Sequence, residues 1–548
     1  MAQVFMPGEA VQGAGSTAGG FPAGEDRQYK DILLSDSEIG LARECLSKAL
    51  EMGAAKVRVT LSKSRMDLVG TLDGAVDKIN SCQDRSLSVS LFAGGRYGSF
   101  TTNRCDGDGL DEFLRRAFDT VSRLVPDEFR DLPDPARVCS GAGGGDELGL
   151  FDKGYCDVTP GQRVQMALDA SVWGKKELLR EAAVEGAAVY GGLNSSLSAY
   201  ELVSEEGEYS DSICDTLLLD SQGAYCRHIE TNFDYGVEVT VKDGLGRRLS
   251  RYAWDSATRL EGLDFKSVGP RALSRAVQAI GPRRTRSRRT CMVIDRECSA
   301  KVVSPLLRAL SAFALQQGDS FLVDTLGKKV FPEGLTILDR PHITGESGSR
   351  LFDSEGVATV ERPVIEAGVV KTYFVNTYMS GKTGLAPTVE DASRPVVLPW
   401  VDPELESGRG WAGGPGVSRI AGDDAGESSR GWAGGPGVSR IAGDDAGESA
   451  GEGRESLDTR RIMELCGEGI LVTDFNGGNY NSTTGDFSYG VEGFAFKNGR
   501  ITHPVREMVV TGKLLSLWQG LLAAGNDARR CSGKLVGTLA FRDVDFAA

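Results

Sequence analysis

Histidine is the scarcest reactive residue in this chain of 548 amino acids. There are three, His228, His342 and His503, and no two of them lie within one helical turn of each other. An H-E-x-x-H zinc motif needs two histidines four positions apart on one helix, so the sequence excludes it. The eleven cysteines are an odd number, and no pair has C-x-x-C spacing, which disfavours a structural zinc site or a disulfide framework. Scattered reduced thiols predict a cytoplasmic protein.

Long apolar segments and an excess of basic residues are also missing. No apolar run approaches the roughly 20 residues that span a bilayer, so no membrane association is expected. Residues 1–28 are rich in glycine and alanine and lack the basic start and apolar core of a secretory signal, which predicts a disordered tail. The net charge of −15 disfavours direct nucleic-acid binding, because phosphates repel an acidic chain.

Apolar periodicity in the N-terminal region, residues 29–285, predicts helices combined with a meander of strands. A capping box at Ser35 begins one helix, and another ends before Pro126. We expect two subdomains, 29–125 and 150–285, joined by a connector rich in proline and glycine. In the second subdomain, short strands are predicted near 185–193, 197–204, 215–219 and 235–242.

The C-terminal region, residues 286–548, is predicted to be rich in strands. Together with the N-terminal αβ-meander domains, this pattern indicates an α+β fold and not a regular βαβ series. Residues 409–428 recur without change as residues 430–449, a period of 21. This repeat has many glycines and few apolar residues, so we expect a flexible duplicated insertion at about 401–456 instead of stacked structural repeats.

Three reactive side chains near the C-terminus form one candidate site. His503 and Glu507 are four positions apart and would share a face of a strand as a metal pair or an acid–base pair. Cys531 could donate a thiolate. Because no third metal ligand lies nearby in the sequence, structural roles are favoured for His503 and Glu507. The alternative is a self-sufficient cysteine-type hydrolase, which thiol alkylation would inactivate and a chelator would not. The five arginines within 283–289 predict a solvated interdomain linker or, as the alternative, a phosphate site.

Several motifs, in order along the chain, resemble the TldD/PmbA (TldE) family. The segment GESGSRLFDSEGVAT is similar to the family stretch G-S-x-x-x-D-x-E-G-V-x-T, and four further segments match other family signatures. The resemblance covers roughly residues 30–548 outside the insertion. The motifs occupy residues 96–103, 345–359, 368–378, 469–473 and 481–490.

The resemblance implies a peptidase built from two related subunits. The TldD-type subunit binds one zinc ion through H-E-x-x-x-H on a helix, with further help from a cysteine, whereas the corresponding helix here, after the strand at Cys291, contains no histidine. The resemblance therefore implies the non-catalytic TldE/PmbA-type subunit, with no cofactor of its own, a zinc-containing TldD-type partner and unstructured peptides as substrates. The family label "modulator of DNA gyrase" leaves another alternative, a regulator that acts on gyrase through protein contacts.

A polar, glycine-containing stretch between residues 479 and 487 is the predicted lining of the substrate chamber in such a complex. The strand-rich C-terminal region would also offer backbone edges to an extended peptide. The predicted lining residues are Asn479, Asn481, Thr484, Asp486 and Phe487.

Overall fold

The computed structural model describes residues 31–104, 107–189, 200–407 and 456–548. The predicted tail, 1–28, and residues 408–455 of the predicted insertion lie outside these ranges. The first residues assigned to the insertion do pack: a one-turn helix, Pro403–Glu406, buries Leu405. Residues 403–406 thus pack on the C-terminal domain, although they fall within the approximate bounds of the predicted insertion.

In the described part of the chain, the N-terminal half is built on one antiparallel sheet of six strands in the order β3-β2-β1-β4-β5-β6. Strand β1 pairs with β2 on one side and with β4 on the other, so both predicted N-terminal subdomains contribute to a single sheet. Alternate residues of β1, such as Val57 and Val59, are buried, as the period-two pattern predicted. The strands are Lys56–Leu72, Ala75–Ala93, Arg96–Thr102, Tyr200–Asp220, Tyr225–Asp243 and Arg248–Ala257.

Five helices accompany this sheet among the described residues. The capping box that begins α1 is confirmed, since the Glu38 N–H donates to Ser35 Oγ at 3.3 Å and the Ser35 N–H donates to the Glu38 carboxylate at 2.9 Å. The strand predicted near 185–193 is wrong over residues 185–189, where α4 continues; residues 190–193 lie outside the described ranges. The strands predicted at 197–204 and 215–219 fall largely within the single strand β4. Helices α1 to α5 are Asp36–Glu51, Gly107–Val121, Pro160–Asp169, Lys176–Val189 and Phe265–Gln278.

The C-terminal domain contains a second, larger sheet. Within the described residues its order is β12-β16-β17-β15-β14-β13-β7, and β17 also pairs with β7, so β7, β13, β14, β15 and β17 close into a ring. Closure leaves these five strands without a free edge along their paired length. The strands of this sheet are Arg288–Ile294 (β7), Trp400–Val401 (β12), Glu468–Tyr480 (β13), Asp486–Lys497 (β14), Arg500–Lys513 (β15), Leu521–Ala524 (β16) and Leu539–Ala547 (β17).

Smaller elements surround this ring. Strands β8 to β11 form a separate sheet in the order β10-β9-β8-β11, and helix α6 follows β7 directly. These strands are Ile337–Asp339, Arg362–Glu366, Val369–Val370 and Pro395–Val397. The helices of the domain, α6 to α11, are Ala300–Ala309, Ala312–Gln317, Thr377–Thr383, Pro403–Glu406, Thr459–Cys466 and Leu514–Gln519.

The two halves share a hydrophobic core. Val293 of β7 and Leu471 of β13 belong to the same buried cluster as Ala272 and Val277 of α5. Burial of these residues keeps the end of β6 and helix α5 against the C-terminal domain. In the described ranges, no helix combines the length and the apolar character needed to cross a membrane.

Candidate functional site

A cleft of about 570 Å³ opens where the N-terminal sheet meets the C-terminal domain. Its walls come from the end of β6 with the turn that follows (255–264), from helix α5 through Arg271, and from two loops of the C-terminal domain, 344–347 and 529–531. The cleft is concave, is built from two domains and carries convergent charged groups, so we take it as the candidate site.

Arg529 joins the two sides of the cleft through hydrogen bonds. One Nη donates to the Glu297 carboxylate at 2.6 Å, and the other donates to Asp255 at 2.7 Å and to the Trp254 carbonyl at 2.9 Å. The guanidinium also lies over the Trp254 ring, 4.5 Å from its centre. Only 10% of the side chain is exposed, so these charge-assisted bonds hold the 529–531 loop against the end of β6.

Arg394 is the second organising residue, and its side chain is fully buried. Its guanidinium pairs with the Glu346 carboxylate, bonds the Ser347 carbonyl, and donates to the carbonyls of Ser532 and Arg530 at 3.1 Å each. One side chain therefore holds together the two C-terminal loops that line the cleft. Sequence reasoning did not identify either Arg394 or Arg529.

The motif around residues 345–359 has a folding role that explains its polar residues. One Asp353 carboxylate oxygen accepts the N–H groups of Glu355 and Val357 at 2.9 and 3.0 Å. The Glu355 carboxylate in turn accepts the N–H and the hydroxyl of Thr377 at 2.8 and 2.7 Å. Asp353 thus satisfies donors within its own loop, and Glu355 ties that loop to the first residue of α8.

Cys531 lies in the cleft, but it is not an activated thiol. Burial raises its pKa above the ordinary value, and the nearby charge of Arg529 offsets this effect only in part. The protonated thiol therefore dominates at neutral pH, whereas nucleophilic cysteines depend on a lowered pKa.

The structure places His503 and Glu507 apart from Cys531. His503 Nδ1 lies 3.1 Å from Thr502 Oγ1, and burial together with Arg283 and Arg288 lowers the pKa of the imidazole. Glu507 binds Arg284 and Arg506, and a β-bulge beside it interrupts the alternation of faces that would have aligned it with His503. In the described ranges, no contact joins either residue to Cys531.

The predicted chamber lining maps to the hairpin between β13 and β14. Asn481 Oδ1 accepts the N–H groups of Thr483 and Thr484 at 3.0 and 3.1 Å, which closes the turn. The bond from the Thr484 hydroxyl lowers the pKa of Asp486, and Lys513 lies 3.5 Å from the same carboxyl group. Of the predicted lining residues, Asn479, Asn481, Thr484 and Asp486 are exposed. Phe487 differs from them: it is buried, and its ring stacks on Tyr489 at 5.4 Å.

The arginine-rich stretch 283–289 lies on the surface and is held by ion pairs. Arg284 binds Glu507, Arg288 lies 3.2 Å from Glu468, and Arg289 lies 3.8 Å from Asp545. These carboxylates pair with three of the five arginines. Arg288 and Arg289 belong to β7, so the linker interpretation fits only the residues before 288.

The family resemblance of the sequence leads us to expect α6, the first helix after β7, at the position of the family's zinc helix. Its residues, AKVVSPLLRA, include no His, Cys, Asp or Glu. Just before it, Cys298 is partly buried, and this burial raises the pKa of its thiol. Asp295 uses one carboxylate oxygen to accept the Glu297 N–H at 2.9 Å. Over the residues that the structure describes, no group of three or more His, Cys, Asp or Glu side chains is arranged to hold a metal ion. The described residues therefore do not fit a zinc centre.

Asp234, on β5 next to the cleft, gives a pH-dependent prediction. Burial raises its pKa; Ser256 and Asn232 hydrogen-bond to it, and no cation among the described residues offsets the burial. A carboxyl group with a raised folded-state pKa stabilises the fold when protonated and loses that contribution as the pH rises through the folded pKa. Asp234→Asn should therefore raise the melting temperature at pH 7 by up to a few degrees, and the difference should shrink toward pH 4. An equal difference in melting temperature between the variant and the native chain at pH 4 and pH 7 would contradict the raised pKa of Asp234.

Comparisons with known proteins agree with this architecture. Family models described as PmbA/TldA metallopeptidase domain 1, central domain and C-terminal domain match residues 57–120, 167–280, and 287–401 with 448–548. The metalloprotease PmbA of Escherichia coli O157:H7 is 23% identical over 529 residues, which cover 94% of this chain and 98% of the relative.

Two solved structures have the same fold. A protein from Bacteroides thetaiotaomicron VPI-5482, named as a candidate modulator of DNA gyrase, superposes with a TM-score of 0.76 at 30% identity over 94% of this chain and all of that one. TldE from Thermococcus kodakarensis superposes with a TM-score of 0.65 at 15% identity over 93% of this chain and all of that one. The fold is that of a three-domain metallopeptidase-like protein. The chain belongs to the PmbA/TldD family.

Proposed function

We propose that this chain is a TldE/PmbA-like, non-catalytic subunit of a TldD/TldE-type zinc peptidase. In this proposal, a TldD-type partner supplies the zinc ion and the hydrolytic residues, and the present chain supplies surface to the substrate chamber. The complex would degrade or process unstructured peptides in the cytoplasm. The name of the Thermococcus neighbour, TldE, supports the choice of subunit type.

The composition of α6 carries the proposal. Zinc hydrolysis needs nitrogen, sulfur or oxygen ligands around the ion and a group that takes a proton from the attacking water. Helix α6 has only aliphatic residues, Ser304, Pro305 and the two cations Lys301 and Arg308. None of these side chains is an ordinary zinc ligand, so in this proposal a partner with an intact motif provides the chemistry.

The alternatives are less well supported by the site. A cysteine-type hydrolase would depend on Cys531, whose pKa is raised and which has no contact with His503 or Glu507 in the described part of the chain. A regulator of DNA gyrase is favoured only by the printed names of solved structures, such as that of the Bacteroides protein. With a net charge of −15, such a regulator would contact the gyrase protein, not its DNA.

Metal content gives a direct test on the isolated chain. After dialysis, the purified protein should retain well under one zinc ion per molecule by elemental analysis and should not cleave an unstructured peptide. Replacing Cys531 by serine should leave the zinc content unchanged, because the thiol is not proposed as a ligand. Stoichiometric zinc in the isolated protein would contradict the non-catalytic assignment.

A further inference from the structure

Arg271 of α5 is a cation in the cleft without an anionic partner. Its Nη2 donates a hydrogen bond to the Trp254 carbonyl at 3.0 Å. Within the described part of the chain, its Nε is buried and has no hydrogen-bond partner. No carboxylate of the described residues forms an ion pair with it. Burial, and then the charge of Arg529, lowers the pKa of its guanidinium. The side chain is only partly buried, and a guanidinium that lines a cleft without a carboxylate partner is available to an anionic ligand.

The neighbouring charges do not neutralise Arg271. Glu297 pairs with Arg529 at 2.6 Å and with Arg275 at 3.1 Å, and Asp255 pairs with Arg529 at 2.7 Å. Three arginines thus share two carboxylates, and both carboxylates are directed to Arg275 and Arg529. Arg271 is thus left without a direct ion pair beside a cavity large enough for one or two amino-acid residues, whose lining also includes Glu261, Asp264 and Glu346.

We propose that the cleft is a subsite for a carboxylate group of a peptide, with Arg271 as its anchor. The ligand accepts hydrogen bonds from the guanidinium, which has no carboxylate partner of its own, and a C-terminal carboxylate is the group that every linear peptide offers. Glu261, Asp264 and Glu346 also line the cleft. Their charges repel a phosphate dianion more strongly than a singly charged carboxylate, which favours the peptide group. The assignment of the ligand as a peptide rests on the proposed function.

Calorimetric titration of the isolated full-length chain tests the subsite. The probes are N-acetyl-trialanine with a free carboxylate, the same peptide with a C-terminal amide, and inorganic phosphate, all at one ionic strength. The free acid should bind with a dissociation constant of about 1 mM or lower. The amide, and the free acid with Arg271→Gln, should bind at least about tenfold more weakly, a change equivalent to 1.4 kcal/mol. Arg271→Lys should retain part of the affinity.

Arg308→Gln is the matched control, because Arg308 lies on α6 outside the cleft and the variant loses the same charge. It should bind the free acid as the native chain does. Far-ultraviolet circular dichroism confirms that each variant is folded. Equal binding of acid and amide, equal binding by Arg271→Gln, or tighter binding of phosphate than of the peptide would overturn the proposal.

Alkylation of Cys531 gives a second, independent readout. This thiol lines the cleft, whereas Cys82 is exposed on β2 and serves as an internal control. The free-acid peptide should slow modification of Cys531 by iodoacetamide several-fold, as followed by peptide mass spectrometry, and should leave Cys82 unaffected. No protection at a saturating concentration would overturn the proposal. Both experiments use the isolated chain and no peptidase activity, so their failure is distinguishable from failure of the partner hypothesis.

Discussion

Co-expression of this chain with a TldD-type subunit from the same source is expected to give a stable complex that cleaves an unstructured peptide about 100-fold or more faster than either chain alone. The expectation follows from α6, which lacks metal ligands, and from the general requirement of a bound metal for this type of hydrolysis. EDTA should abolish the activity, and added zinc should restore it. The measurement is the initial rate of cleavage at equal concentrations of the single chains and the complex.

A matched control separates assembly from catalysis. A TldD-type partner whose zinc-binding histidines are replaced by alanine should still co-elute with this chain but should be inactive. Obligate interfaces commonly bury more than about 2,000 Å² in total, so the complex should survive gel filtration at micromolar concentration. Separate elution of the two chains, combined with full activity of the TldD-type chain alone, would show that the partner hypothesis is wrong.

Arg394→Met is expected to lower the free energy of unfolding by about 3–5 kcal/mol, the largest effect that we predict for one substitution on stability. The fully buried guanidinium pairs with Glu346 and donates to carbonyl groups on two loops. Its removal leaves a carboxylate of low exposure and several buried carbonyls without their donor. Urea denaturation, followed by tryptophan fluorescence, measures the change.

Arg530→Met is the control for this prediction, because Arg530 contacts the same Glu346 at 3.5 Å while 80% of its side chain is exposed. An exposed ion pair contributes at most about 1 kcal/mol, so this variant should unfold close to the native midpoint. In addition, the double variant Arg394→Met, Glu346→Gln should lose less unfolding free energy than the two single variants lose in sum, because it leaves no buried carboxylate unpaired. Additive effects would mean that the two side chains are not coupled.

The cleft explains why part of the site escaped sequence reasoning. Cys531 was a candidate from the sequence, and Glu346 lies in a segment that carried the family resemblance, yet their meeting in one cleft was not foreseen. Arg529 and Asp255 are 274 positions apart, and Arg394 and Ser532 are 138 apart. Arginines of this kind occur throughout the chain, and no local pattern distinguishes the ones that become buried.

The sequence by itself determined the features that depend on neighbouring residues. These are the capped start of α1, the alternating burial of β1, the α+β class and the absence of histidine from α6, because periodicity, capping and ligand chemistry are local properties. Only the tertiary structure decided which strands join, that β17 closes the C-terminal ring, and that Arg271 is left without a carboxylate. Those outcomes depend on packing between residues distant in the chain, where burial changes the free energy of a charge by more than any local preference does.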